Sequence, residues 1–499
     1  MGPDKAGVGV PDAGVKAGAG VLAATCISTL IVNANTSAVS ILLPAISEDV
    51  GASTSTLQWA VTGYSLVGAA VIVTSGVLGD IAGRRKVFIG GLVLFIASCA
   101  LIALSTGAAG VIVGRLIQGA AGSTLLACGL SLLSVASSGA AELKAVSLWG
   151  AASAVGAAIG PLIGGALVDS TGWQGLFWID AGIAVLCIPL TLLTVAESRD
   201  PNRPRSIDLA GTVLVAVTLA PLVLGLSKGP EWGWTSLATL GCLAVSVAAG
   251  YGFFAVEGRV KVPLVNLALL RNRVLVASTI VILIVAGGIN GLMFVLSLYF
   301  QDPDGLGMSP LQAGAATLPA VAGLVLVAPF VSRLAVKIGS RAVIGLGFIV
   351  TTVGFLAMLF VSGSWAYGAF VLPLIAIAVG MGFSNGCASS AATVSVPESE
   401  VGAASGISNM ARYVGAALFV AAASTIYSTA AASTEGARDE ALAGGVAKAS
   451  LLMMLPCVLG LVVAALYRRH RLHSARAVDQ ATAAAGVVHT VPRIGAAAR

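Results

Sequence analysis

Two ionisable residues stand where an apolar sequence should have none. Asp180 closes the run Trp173-Gln-Gly-Leu-Phe177-Trp178-Ile-Asp180 at the start of one long apolar segment, and Arg115 lies in Gly114-Arg-Leu-Ile-Gln118-Gly119 near the start of another. A guanidinium inside a bilayer costs ~2.5–3.5 kcal/mol at a helix centre and less near an interface, so Arg115 needs protein, water or a headgroup within reach. Asp180 is the one acid well inside an apolar span, and His470, His473 and His489 all fall in the C-terminal tail. Elimination therefore makes Asp180, with Arg115 beside it, the candidate for proton coupling; a fixed ion pair or an interfacial acid fits the same residues. A nearby guanidinium favours an ionised carboxylate while apolar surroundings favour the protonated one, so relative motion of two such groups changes how tightly a proton is held. Asn35, Gln118, Asn290 and Arg412 are further polar residues inside apolar segments and are candidates to line a cavity.

Two glycine-rich motifs accompany them. Gly76-Val-Leu-Gly-Asp80-Ile-Ala-Gly83-Arg84-Arg85-Lys86 is a tight turn with one acid among three bases. It reads as a basic membrane-edge loop, but Asp80 exceeds that reading, because an acid that pairs with an arginine across a helix end and lets go during a cycle is a conformational latch. Asp80 is also a second, membrane-edge candidate for carrying the proton. The latch set is Gly76, Asp80, Gly83, Arg84 and Arg85. Gly156, Gly160, Pro161, Gly164 and Gly165 put a groove along one helix face and a bend in it, so a neighbouring helix can sink in and seal the cytoplasm from a cavity.

The elements that position these residues must be membrane helices. The 499 residues are 57% hydrophobic and 10% charged, with a mean hydropathy of +0.99, far more apolar than one folded core requires. Apolar runs of about 20 residues recur along the chain, which predicts an all-α integral membrane protein of fourteen spans with a lipid bilayer for solvent. Basic residues mark one face. With an even number of spans, Arg84, Arg85, Lys86, Lys144, Arg333, Lys337, Arg341 and most others share a side with both termini, and only Lys228, Arg438 and Lys448 lie opposite. That asymmetry places both termini and the basic loops in the cytoplasm and accounts for the net charge of +6 without nucleic acid. The expected organisation is a cytoplasmic tail at 1–18, a six-helix bundle at 19–196, a cytoplasmic linker at 197–207 and two additional helices at 208–254. A connector at 255–273, a second six-helix bundle at 274–467 and a disordered cytoplasmic tail at 468–499 complete it. The first span serves as an uncleaved insertion signal. An internal repeat fits this plan: Ser332, Leu334, Lys337, Gly339 and Arg341 echo Gly76, Leu78, Ile81, Gly83 and Arg85, with Val336 where Asp80 would stand.

Together these residues resemble the major facilitator superfamily, specifically its fourteen-helix drug/proton antiporter branch of multidrug and antibiotic self-resistance exporters. The resemblance runs from about residue 25 to 465. Gly76 to Lys86 is similar to the superfamily loop motif, Arg115, Gln118 and Gly119 to its arginine motif, and Gly156 to Gly165 to the antiporter motif associated with exporters. Gln58-Trp59, Tyr64, Trp173, Phe177, Ser405-Gly406, Arg412 and Gly415 agree as well. What the resemblance implies is the two-bundle fold and proton-coupled export of a small hydrophobic compound from the bacterial cytoplasmic membrane, by a monomer with protons as the second ligand. One departure stands out. The first-span acid usual in this branch falls on Asn35, and Asp180 occupies a position where relatives commonly carry asparagine. A relocated carboxylate fits this, as do two unrelated substitutions.

Other classes find little support. Seven cysteines scattered through apolar segments read as packing residues, and no metal cluster, cofactor motif or catalytic constellation appears. No Gly-Lys dipeptide exists, so the usual phosphate-cradling loop for ATP is absent. A metabolite importer of the same fold and a non-transporting membrane sensor are the alternatives.

Overall fold

The computed structural model describes residues 13–137, 139–199, 208–260, 263–396, 400–432 and 437–466. The N-terminal helices are α1 (Ala13–Asp49), α2 (Thr54–Ala82), α3 (Arg84–Ala103), α4 (Ala108–Ala136), α5 (Gly139–Thr171) and α6 (Gln174–Thr194). Next come α7 (Leu209–Trp232) and α8 (Leu237–Glu257), then α9 (Arg273–Gln301), α10 (Pro310–Ala316), α11 (Leu318–Ile338), α12 (Ser340–Met358), α13 (Tyr367–Val394), α14 (Val401–Ala431) and α15 (Arg438–Leu466). Thirteen helices among the described residues are long and apolar enough to cross a membrane. Both tails, apart from 13–18, and most of the 197–207 linker lie outside the described residues.

The predicted tenth span is split. α10 ends at Ala316 with Thr317 as its C-cap, and Pro319 sits in the first turn of α11, where its missing N–H is harmless. A continuous apolar run hid that break.

Lipid-facing helices have no strong amphipathic stripe, so packing is set by shape. One apolar core gathers Leu42, Phe88, Phe95 and Phe177 from α1, α3 and α6. A second gathers Tyr299, Phe300, Phe348 and Phe370 from α9, α12 and α13. The third is a seam in which α7, backed by α8, lies against α2 and α14, with Val215, Leu219 and Val223 clustering with Ala404, Ala417 and Ala421. Leu237, Val247 and Tyr251 of α8 point away from the protein, so this pair is peripheral.

The two turns of the internal repeat are built alike. Gly83 (φ 119°) separates α2 from α3 and Gly339 (φ 87°) separates α11 from α12; a side chain is strained at either angle. Each glycine N–H donates to the carbonyl four residues back, and each carbonyl accepts from Val87 or Val343 four residues on. The end of the bundle bearing these turns is the basic end.

At the far end the two halves close on each other. Pro44 leaves the Ser40 carbonyl without its helical donor, and Ser297 Oγ of α9 donates to it at 2.6 Å. Gln301 Nε2 donates to the Ile41 carbonyl at 3.1 Å. Beside this tie α5 packs on α10 while scarcely meeting α11, so the halves separate between α5 and α11 toward the basic end.

Candidate functional site

Asn35, Arg115, Gln118 and Asp180 come from α1, α4 and α6, yet they form one hydrogen-bonded chain. Asn35 Nδ2 donates to Asp180 Oδ2 at 2.7 Å. The Arg115 Nη1 donates to Asn35 Oδ1 at 2.6 Å and to Gln118 Oε1 at 2.5 Å, while its Nε donates to the Ala60 carbonyl of α2 at 3.0 Å. Gln118 Nε2 then donates to Cys99 Sγ at 3.1 Å. All four side chains are between 0 and 3% exposed, so the Asp180 carboxyl and the Arg115 guanidinium sit away from solvent with an amide between them. Burial of that kind is tolerable only with each charge compensated. The membrane-edge alternatives for Arg115 and Asp180 are therefore removed for this conformation: neither side chain reaches outward.

The chain continues toward the second half. The Arg115 guanidinium carbon lies 4.3 Å from the centroid of the Tyr64 ring, a cation–π arrangement, and Tyr64 faces Tyr413 of α14 with ring centroids 6.3 Å apart. Close packing brings these groups together. A methyl group on Gly119 would stand 2.3 Å from the Tyr64 carbonyl, and one on Gly68 would stand 2.8 Å from the Tyr413 ring. Sequence reasoning missed this aromatic link, because contiguous spacing carries no record of contact across 349 positions between Tyr64 and Tyr413.

The other polar candidates are not joined to it. Asn290 Nδ2 donates to the Ala286 carbonyl of its own helix at 2.8 Å. Arg412 Nη2 donates to Ser389 Oγ of α13 at 2.7 Å.

At the basic end Asp80 accepts from Arg84 Nε and Nη2 at 3.0 and 2.8 Å across the Gly83 turn. Glu197, read only as the start of a linker, accepts from the backbone N–H of Arg85 at 3.1 Å, and Arg85 Nη1 donates to the Val195 carbonyl at 3.1 Å. An acid immediately after a span and opposite a basic helix start was the available signal. Gly76 has room for a side chain, unlike Gly83, where a methyl group would meet the Glu197 carboxylate at 2.7 Å.

The span-five glycines face two partners. A methyl group on Gly156 or Gly160 would stand 2.3 Å from the Leu30 or Ala34 carbonyl, and one on Gly164 would stand 3.1 Å from Ala38 Cβ, so these three seat α1 at four-residue intervals. Gly165 instead meets the Pro310 carbonyl of α10, and Gly314 of α10 meets the Pro161 carbonyl. These inter-half contacts lie at the far end, not at the basic end where the sequence predicts a seal against the cytoplasm, because Gly165 and Pro161 lie toward the C-terminus of a helix that starts at the basic end.

Two packed halves, a repeated glycine turn and a buried charged chain at their centre define the class: the chain belongs to the Major Facilitator Superfamily, whose profile matches residues 25–420. It is 30% identical, over 80% of its length and 73% of the relative's, to the tetracenomycin C resistance and export protein of Streptomyces glaucescens. It is 29% identical, over 81% of its length and 80% of the relative's, to the multidrug efflux pump LfrA of Mycolicibacterium smegmatis. A POT family transporter crystallised with 5-aminolevulinic acid has the same fold, with a TM-score of 0.64, 13% identity and coverage of 93% of this chain and 98% of that one.

Proposed function

We propose that the chain is a multi-pass exporter of the bacterial cytoplasmic membrane, with both termini cytoplasmic, that expels a small hydrophobic compound in exchange for protons. The observation that carries this reading is the buried Asp180–Asn35–Arg115 chain and its contact through Tyr64 with Tyr413 of the other half. Export is further supported by the names of the relatives and by the glycine pattern of α5.

In this mechanism the conformation described is closed at the far, outer end and open between α5 and α11 toward the cytoplasm. Rocking of the halves moves Tyr413 against Tyr64 and shifts Arg115 relative to Asp180. A carboxylate relieved of its cation binds a proton, and one returned to it releases the proton, so alternation of the halves becomes alternation of proton affinity. Each proton entering down 100 mV releases ~2.3 kcal/mol, enough for about a 50-fold outward gradient of a neutral compound. Asp80–Arg84 serves as a latch at the cytoplasmic end, held beside the Glu197 cap of α3.

The test is efflux from cells lacking their own pumps, together with substrate-induced proton movement in inverted vesicles. Wild-type protein should lower accumulation of at least one hydrophobic antibiotic or dye, and an uncoupler should abolish the difference. Asp180→Asn should bind substrate and lose uphill transport; full proton-driven efflux by that variant would reduce Asp180 to a structural residue.

A further inference from the structure

The central polar chain leaves one cation out. Arg412 stands near the middle of α14, with Nη2 on Ser389. Its Nε is buried without an acceptor, Nη1 has no partner among the described residues, and no carboxylate there forms an ion pair with it. The inner edge of this guanidinium has lost water without gaining an acceptor, while the residue as a whole stays partly accessible.

The neighbours of α14 fix where this side chain points. Gly406 and Tyr413 face Val73 and Gly68 of α2, and Gly415 and Phe419 face Leu283 and Gly287 of α9. Ile407, Ala417 and Ala421 belong to the seam against peripheral α7. At 3.6 residues per turn, Ser405, Asn409 and Arg412 lie together on a face between those of α2 and α9 and opposite α7, where Arg412 reaches Ser389 of α13, while α15 packs on α14 farther along, at Tyr427 and Ala430. All three are only half-buried. Polar side chains that face the middle of the bundle and are still half-accessible line a space. Asp180, the acid placed inside the spans, offers no compensation there, since it is 3% exposed and engaged by Asn35 within the N-terminal half.

We propose that Arg412, positioned by Ser389, anchors an acidic group of the transported compound, a carboxylate or an ionised phenol, so that the cavity selects acidic over cationic molecules. This rests on the exporter reading and names the substrate class of that site. An anion entering the cavity supplies the missing acceptor and forms a charge-assisted hydrogen bond in a weakly polar setting. A cation would meet like charge and leave Arg412 unpaired.

The experiment is equilibrium binding to the purified full chain in lipid nanodiscs at neutral pH, using anthraquinone-2-carboxylate, its carboxamide and its aminomethyl analogue, with the matching naphthalene set as a second scaffold. Wild-type protein should favour the carboxylate over both analogues by about tenfold or more on at least one scaffold, the size of one charge-assisted contact. Arg412→Gln should bring the carboxylate down to the level of the amide while leaving the amide unchanged, Arg412→Lys should retain part of the preference, and Ser389→Ala should weaken it less than Arg412→Gln. Absence of any carboxylate preference on both scaffolds overturns the proposal. So does an Arg412→Gln variant that weakens all three forms equally, which would mark the arginine as a tie between α13 and α14. Proton-driven efflux of a hydrophobic dye, measured separately, keeps the two readings apart: its loss in wild type sinks the exporter reading, and its presence without carboxylate preference sinks only the anchor.

Discussion

Asn35 accepts from Arg115 with one side of its amide and donates to Asp180 with the other, so a neutral group holds two opposite charges apart at fixed distance. A direct ion pair in dry surroundings would be harder to part, and parting is what a proton carrier requires. The swapped variant tests whether position or identity matters. Asn35→Asp combined with Asp180→Asn should restore part of the coupling lost in Asp180→Asn alone, because the carboxylate then sits directly on Arg115 Nη1; proton movement per substrate in vesicles reads this. No recovery would mean that the carboxylate works only from α6. At this scale the sequence offers the residues but not their connection. Asp180 and Arg115 stand out as charges in apolar runs, while Asn35, 145 positions from Asp180, stands out only as a polar cavity candidate and as the place of an absent acid. Its bridging role is a property of the packed bundle.

Helices meet here through missing side chains. Gly160 admits α1 so closely that a methyl group would stand 2.2 Å from Ser37 Oγ and 2.3 Å from the Ala34 carbonyl, and backbone cannot give way. Because α1 and α5 belong to one half, Gly160→Ala should burden every conformation. Lower membrane abundance and lower thermal stability are expected, by about 1–3 kcal/mol for overpacking of this kind. Gly165→Ala is different, since its methyl group would stand 2.5 Å from the Pro310 carbonyl of the other half. That cost falls only on the conformation closed at the far end. Normal abundance with transport slowed several-fold is expected, and equal abundance loss for the two variants would show that Gly165 is an ordinary packing site. Four-residue glycine spacing announced a groove in the sequence, but the same letters serve two partner helices, and only the packing divides them between α1 and α10. The break before Pro319 was similarly visible as a proline and concealed by the apolar run around it.

At the scale of the molecule, the halves are joined at the far end and along α2 and α14, where Val73 meets Gly406, and are apart between α5 and α11, so accessibility should be one-sided there. In a background without the seven native cysteines, Ser405→Cys should react with a membrane-impermeant thiol reagent in inverted vesicles and resist it in intact cells until turnover is driven. Reaction from outside only would reverse the assigned orientation. The far-end closure also has a chemical peculiarity. Pro44 guarantees that the Ser40 carbonyl has no donor within its own helix, and in the closed conformation Ser297 satisfies it from the other half. When that end opens, the carbonyl must find water, since an unpartnered carbonyl in an apolar mouth is costly. On the proposed orientation, opening to the outside is a hydration reaction, and the rate of the cycle should depend on the activity of water at the outer face. A bulky osmolyte that cannot enter the mouth should slow efflux more than its viscosity explains, while a small solute able to hydrogen-bond the carbonyl should not.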